Sequence, residues 1–142
     1  MERSELEEKI RAVFAAPRVA ALATVTAEGK PWVRYVTVRA SDDLTLRVCT
    51  DAASRKAAEI RGRPEVHLTC GDLNPPDDSV YLQIAGRAEV STDPDEKQEL
   101  WTDEYLRYFK GPDDPDYVVI RICPDVIEYM GPGSPKPSIW RR

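Results

Sequence analysis

Thr50, Ser54, Arg55 and Lys56 bring two hydroxyls and two cations into one short stretch of chain, just where the pattern around them begins a helix. The first turn of a helix carries partial positive charge and unpaired N–H groups, so Arg55 and Lys56 there cost a few tenths of a kcal/mol each, up to about 1. An anion relieves that conflict, and hydroxyls, amides and cations together are the donors that a phosphate group requires. The same residues are equally compatible with two side chains extending into solvent. A second basic pair, Arg34 and Arg39, lies on the strand-like stretch Trp32-Val33-Arg34-Tyr35-Val36-Thr37-Val38-Arg39. By a period of two they point to opposite faces, so one ligand meets both only where the strand bulges, twists or ends at the site. Arg34 shares its parity with Trp32, Val36 and Val38, which sets a guanidinium among apolar neighbours. It needs an anionic partner, either a ligand or one of the chain's own carboxylates.

Other chemistries find less support. The adjacent carboxylates Asp42-Asp43, Asp77-Asp78 and Asp113-Asp114 each sit in a turn, where such pairs act as solvated turn-formers. Cys49 precedes the hydroxyl-rich stretch, and a helix N-terminus lowers a thiol pKa, but no base accompanies it. Cys49, Cys70 and Cys123 are odd in number, far apart and embedded in alternating apolar stretches, so they read as buried free thiols. With one histidine, His67, and no Cys-x-x-Cys, no metal site is expected. The stripe Trp101, Tyr105, Tyr108 and Phe109 reads as core or packing surface rather than a cofactor cage.

The elements that must position these residues follow from periodicity. Leu6, Ile10, Val13 and Phe14 predict a helix over residues 4–16, with Ser4 and Glu7 as a capping box and Pro17 as its stop. Residues 19–26, 32–40 and 44–49 read as an antiparallel meander joined by Ala27-Glu28-Gly29-Lys30 and Ser41-Asp42-Asp43. A helix over 52–61 follows, capped by Thr50 or Asp51 and closed by Gly62. Strands over 65–70 and 80–90 come next, the second bulged at Gly86. Its core face is Val80, Leu82, Ile84, Ala88 and Val90, and the opposite face, with Tyr81 and Gln83, reads as a pocket or a subunit interface. Asp93 and Pro94 open a helix running to about Lys110, and a strand over 117–130 is broken at Pro124. The Pro- and Gly-rich residues 131–142 read as a loosely ordered tail. Six strands with helices between them make a mainly β, α+β domain over 1–130: an antiparallel closed or split barrel with peripheral helices.

Composition bounds what such a domain does. At 142 residues, 42% hydrophobic and 32% charged, the chain is one globular domain with no apolar run long enough to cross a membrane. Its net charge of −5 repels a polyanion, so nucleic acid is not an expected partner. The acidic, polar start Met1-Glu2-Arg3-Ser4-Glu5 is unlike a secretory signal, which places the expected location in the cytoplasm.

Over residues 5 to 130 the chain resembles the flavin-binding split-barrel proteins related to pyridoxamine 5′-phosphate oxidase, particularly their short general-stress-protein branch. The resemblance rests on Gly29-Lys30-Pro31 leading to Arg34-Tyr35-Val36-Thr37, on Cys49-Thr50-Asp51-Ala52-Ala53-Ser54-Arg55-Lys56, and on Tyr81-Leu82-Gln83-Ile84-Ala85-Gly86-Arg87-Ala88-Glu89-Val90. Trp101, Tyr108-Phe109 and Ile127-Glu128-Tyr129 add to it. It implies a homodimer binding flavin mononucleotide (FMN) in clefts at the subunit interface, and a flavin-dependent oxidoreductase or a non-catalytic flavin-binding stress protein. It also implies roles: Arg34, Ser54, Arg55 and Lys56 at the phosphate, and Tyr35, Val36 and Thr37 along the ring through their backbone. Cys49 and Thr50 would lie beside the ribityl chain and ring, Arg39 near the ring's polar edge, and Tyr81 would come from the second subunit. Related barrels hold a deazaflavin, which the basic cluster would also serve, or haem, to which the single His67 gives little support. Where the true oxidases carry a Trp near the flavin this chain has Met130, and the Arg and His that grip the vitamin have no aligned counterpart in 131–142. The resemblance therefore does not extend to oxidation of pyridoxamine phosphate.

Overall fold

Leu22, Leu68, Leu82, Ile84 and Ile127 are completely or almost completely buried, each on one side of an alternating strand, and covering that side makes the sheet curl onto itself. The computed structural model describes all 142 residues. Its strands are β1 (Arg18–Val25), β2 (Pro31–Ala40), β3 (Leu46–Asp51), β4 (Glu65–Asp72), β5 (Val80–Ser91), β6 (Tyr117–Met130) and β7 (Ser138–Arg141), and its helices α1 (Arg3–Val13), α2 (Arg55–Gly62) and α3 (Pro94–Leu100). The sheet order is β3-β2-β1-β4-β5-β6-β7, and a further pairing of β3 with β6 closes six strands into an antiparallel barrel. Closure is uneven. β3 pairs with β6 from Leu46↔Ile122 to Asp51↔Tyr117, but with β2 only at Arg39↔Arg47 and Ala40↔Leu46. Beyond those two pairs β2 and β3 part, and the barrel is split between them.

The meander, the two-faced β5 and the bulge at Gly86 match the sequence expectation. Ala85 pairs with Val126 and Gly86 with Pro124, so Asp125 is the extra residue and β6 continues through Pro124 instead of breaking there. A bulge absorbs the missing proline N–H, and glycine is required opposite because a Cβ would lie 2.6 Å from the Cys123 carbonyl oxygen.

Several boundaries shift by a few residues, and four differences have a tertiary reason. α1 starts at Arg3 after an N-cap Glu2 that makes no side-chain cap, so the Ser4–Glu7 capping box does not form. Glu7 instead accepts from Trp140 Nε1 at 2.9 Å and pairs with Arg3 at 2.9 Å. The tail supplies that Trp140: β7 adds to β6, and Arg3 donates to the Arg141 carbonyl at 2.7 Å. α2 starts later than expected, because β3 runs on to Asp51 and Ser54 is the cap, accepting from the Ala57 N–H at 3.3 Å. The expected helix over 94–110 divides. The carbonyls of Lys97 and Leu100, which would propagate it, accept from Tyr117 Oη (2.8 Å) and Arg39 Nη1 (3.2 Å), so Trp101 and Thr102 extend and a 3₁₀ turn follows over Asp103–Arg107. Among the thiols, Cys70 is buried and pushed up to about 11 by that burial. Cys49 is half-buried, and Cys123, on the outer face of β6, is exposed rather than buried.

α3 is held by charge. Arg47 and Arg121 face each other across the β3–β6 ladder, an arrangement that repels. Glu96, 5% exposed, lies between them and accepts from Arg47 Nε (2.7 Å), Arg121 Nε (3.0 Å) and Arg121 Nη2 (2.9 Å). Burial alone would raise its carboxyl pKa, but the hydrogen bonds from Arg121 and Arg47 outweigh it and hold the group below the usual carboxylate range. Since the folded-state pKa is the lower one, this stabilisation is complete above the unfolded pKa and is lost as pH falls through the folded value. Glu96→Gln should cost about 2–3 kcal/mol at neutral pH, because it leaves two half-buried guanidiniums facing each other, and should flatten the acid limb of the stability profile. Urea denaturation of both proteins across neutral and acid pH reads both effects.

Candidate functional site

The parting of β2 and β3 opens a cavity of about 550 Å³. Tyr35, Val36, Thr37 and Arg39 of β2 form one wall, Val48 and Cys49 of β3 the floor, and Lys56 of α2 one end. The remaining wall is the segment after α3, with Thr102, Glu104 and Tyr105. From Pro31 to Val38, β2 pairs on one side only, with β1, so its other edge offers backbone groups to the split.

Six of the residues singled out in the sequence thus meet in one place: Tyr35, Val36, Thr37, Arg39, Cys49 and Lys56. The other five lie around it. Arg34 faces α2, donating to Glu59 Oε1 (3.0 Å), Thr24 Oγ1 (2.7 Å) and the Leu22 carbonyl (3.3 Å). Its anionic partner is therefore a carboxylate of the chain, whose other tie, from Thr24 Oγ1 at 2.9 Å, pins α2 to β1. Thr50 is buried and its hydroxyl reaches Ser54 Oγ at 3.4 Å, while Ser54 serves as the α2 cap. The Arg55 guanidinium stacks 4.4 Å from the Trp32 ring and lines a separate cavity with Thr26 and Glu59. Tyr81 lines a second cavity, of about 420 Å³, with Val19, Ala21, Thr69 and Leu73, and Tyr35 borders both cavities.

The electrostatics single out Lys56. It makes none of the chain's ion pairs, and its half-burial pushes its pKa down, with the Arg34 guanidinium adding to the depression. Arg39 is also unpaired by any carboxylate, being tied to the neutral Leu100 carbonyl. Two cations that make no ion pair therefore share the cavity with Glu104, and the nearby Asp51 charge only partly offsets the depression at Lys56. Cys49 lies 3.6 Å from Tyr117 Oη, and because that hydroxyl donates to the Lys97 carbonyl, the thiol is the donor of the pair. Burial, then Cys49, raises the Tyr117 pKa and keeps its hydroxyl protonated.

Glu59, Thr102, Glu104 and Tyr105 were not foreseen as site residues. The aromatic stripe divides instead of acting as one surface: Phe109 is core, Tyr108 is exposed and Tyr105 lines the cavity. The signal that would have found Tyr105 is the helix break, which no residue at 100–102 announces, because tertiary hydrogen bonds cause it. No cluster of His, Cys, Asp or Glu is arranged to hold a metal ion, and no helix is long and apolar enough to cross a membrane.

With this geometry in place, comparison with known proteins is decisive. The family described as pyridoxamine 5′-phosphate oxidase matches residues 6–131. The chain belongs to that family. General stress protein 26 of Bacillus subtilis (strain 168) is 33% identical over 137 residues, covering 96% of each chain. The crystal structure of general stress protein 26 from Bacillus anthracis has a TM-score of 0.83 at 31% identity, over 97% of this chain and 99% of that one. The fold recurs in more distant proteins that are named for different ligands. One is an FMN-binding protein of Nostoc punctiforme (TM-score 0.70, 20% identity, 98% of this chain and 87% of that one), another a haem-binding protein of Mycobacterium smegmatis (0.77, 19%, 99% and 60%).

A half-buried lysine with a lowered pKa penalises the folded state until it deprotonates, so without ligand stability should rise as pH passes through the lowered Lys56 pKa toward that of an unfolded lysine. Lys56→Met should remove that rise and increase the neutral-pH melting temperature by a few degrees, as measured by thermal denaturation of ligand-free protein.

Proposed function

We propose that this chain is an FMN-binding flavoprotein and acts as a flavin-dependent oxidoreductase on a small substrate, as a homodimer with the flavin at the subunit interface. The observation that carries this reading is the pair of unpaired cations, Lys56 and Arg39, beside a strand edge with free backbone groups. These are the partners an anionic arm and a hydrogen-bonding ring require. Lys56 would hold the phosphate, with Arg34 adding its charge from behind and Ser54 and Arg55 at the rim. The edge of Tyr35, Val36 and Thr37 would hold the ring, Arg39 its polar side, and Cys49 and Thr50 the chain between. A bound flavin supplies reversible two-electron acceptance, while the residues of this chain bind, orient and exclude water.

The Nostoc protein's FMN binding on this fold supports the cofactor. Haem is less well served, because His67 lies on β4 outside the cavity. The outer face of β1 and β2 supports the dimer: Val19, Val33 and Tyr35 are 61%, 63% and 81% exposed, a contiguous apolar strip of the kind that marks an interface. Tyr81, which this chain does not bring to its own cavity, is the residue a second copy would contribute. Pyridoxamine phosphate is not the substrate proposed, since residues 131–142 line no part of the cavity and build β7 instead. Three free cysteines, one of them exposed, suit the reducing cytoplasm.

The test is the visible spectrum of the purified protein, with chromatography of the cofactor released on denaturation. An oxidised-flavin spectrum with FMN released is the expected result. A single-band spectrum points to deazaflavin or haem, and a colourless protein that takes up no added FMN overturns the reading. Lys56→Ala should weaken FMN by about 1–3 kcal/mol and leave riboflavin unaffected, since it removes an unpaired charge that, of the ligand's groups, only the phosphate feels. Anaerobic mixing with NADH and NADPH tests the enzyme reading: bleaching by either shows that a nicotinamide nucleotide reduces the bound flavin, and no bleaching with either counts against a nicotinamide-linked reductase.

A further inference from the structure

We infer that Tyr105 is a ligand-contacting residue, the aromatic wall against which the flat ring of the cavity's ligand packs. The inference rests on the flavin reading above and extends the site to Tyr105, which the sequence assigns to core or packing surface and not to the ligand site. Tyr105 lines the same cavity as Lys56 and Arg39, so one space has cations at some of its walls and an aromatic side chain at another. That combination selects a planar, electron-poor ring carrying an anionic arm.

The wall is rigid before any ligand arrives. The Tyr105 ring meets Trp101 edge-on at 5.7 Å and Tyr117 at 6.1 Å, and Tyr117 is itself fully buried, packed on Phe109 at 5.4 Å and tied through its hydroxyl to the Lys97 carbonyl. The Tyr105 carbonyl accepts from the N–H groups of both Tyr108 (2.9 Å) and Phe109 (2.9 Å), which fixes the turn that carries the ring. The Arg39 bond to the Leu100 carbonyl ties that segment to β2. A side chain with few free torsions, braced in this way, loses little entropy when a ring settles on it. Burial, with Cys49 beside it, raises the Tyr105 pKa, so the phenol remains neutral at the cavity wall.

A ring contact and a phosphate contact separate by their ligand dependence. Tyr105→Leu should weaken FMN and riboflavin by the same factor, about tenfold, because both ligands carry the ring. Lys56→Ala should weaken FMN alone. Tyr105→Phe should keep both affinities within about twofold, since phenylalanine presents the same face. It should brighten the bound flavin, because tyrosine in contact donates an electron to the excited ring and phenylalanine does not. Titration of FMN and riboflavin against wild type and the three variants, each checked for native circular dichroism, reads all of this. Equal affinities in wild type and folded Tyr105→Leu overturn the contact while leaving the flavin site standing. If Tyr105→Leu does not fold, the emission of Tyr105→Phe decides, and no brightening overturns the contact. A wild type that binds neither flavin overturns the cofactor reading itself, and the inference with it.

Discussion

The barrel closes because β3 pairs with β6 along six residues, and it opens because β3 pairs with β2 along only two. Everything at the site depends on this inequality. Had β2 and β3 zipped together throughout, the free edge of Tyr35–Thr37 would be consumed in a ladder and no cavity would separate Thr37 from Cys49. The split is maintained from both sides. α2 follows β3 directly and is held against β1 by Glu59, while α3 and its following turn are held against β3 and β6 by Glu96. Each carboxylate is almost fully buried and bridges elements that the sheet alone would leave unconnected.

The charge pattern follows the same division. A chain with net charge −5 has carboxylates to spare, and they pair with Arg34, Arg47, Arg87 and Arg121. They do not reach Lys56 or Arg39. Pairing thus accompanies the guanidiniums that join strands and helices, whereas Lys56 and Arg39 face the cavity without an ion pair and Glu104 stands on the wall after α3. The bulk charge repels polyanions while the local field attracts a small anion, and these opposed tendencies coexist because the cavity walls screen little and bulk solvent screens much.

Most of the strands and both faces of β5 could be read from period two, and the bulge from a lone glycine, because those features are decided within one or two ladders. The site was legible where its residues lie close in sequence, as in the stretches 35–39 and 49–56. Arg34 and Arg39 show the limit of that reading. Parity correctly set them on opposite faces, but only the fold decides which face meets a ligand: Arg39 lines the cavity and Arg34 meets Glu59. Glu59 comes from a helix 25 residues on, and nothing local marks it as the partner. The break after Leu100 was invisible for the same reason. The residues there are good enough helix formers, and the interruption comes from Arg39 and the Tyr117 hydroxyl taking carbonyls from a distance. Trp140 likewise turns a proline-rich tail into a strand by supplying Glu7 with a donor.

An unpaired, half-buried cation costs folding free energy, and a fold of marginal stability keeps one only if something returns that energy. Under the proposed function, the term that returns it at Lys56 is the phosphate of the bound flavin. An anion there restores the lysine's charge-assisted hydrogen bond and relieves its repulsion with Arg34, and because it binds the native state alone it stabilises the fold by mass action. Binding and closure are then one equilibrium. The interactions that would hold the ligand between β2, α2 and the segment after α3 are the same ones that would hold those elements across the split. A protein assembled this way is tightest where it is loaded and weakest where the sheet leaves its seam unpaired.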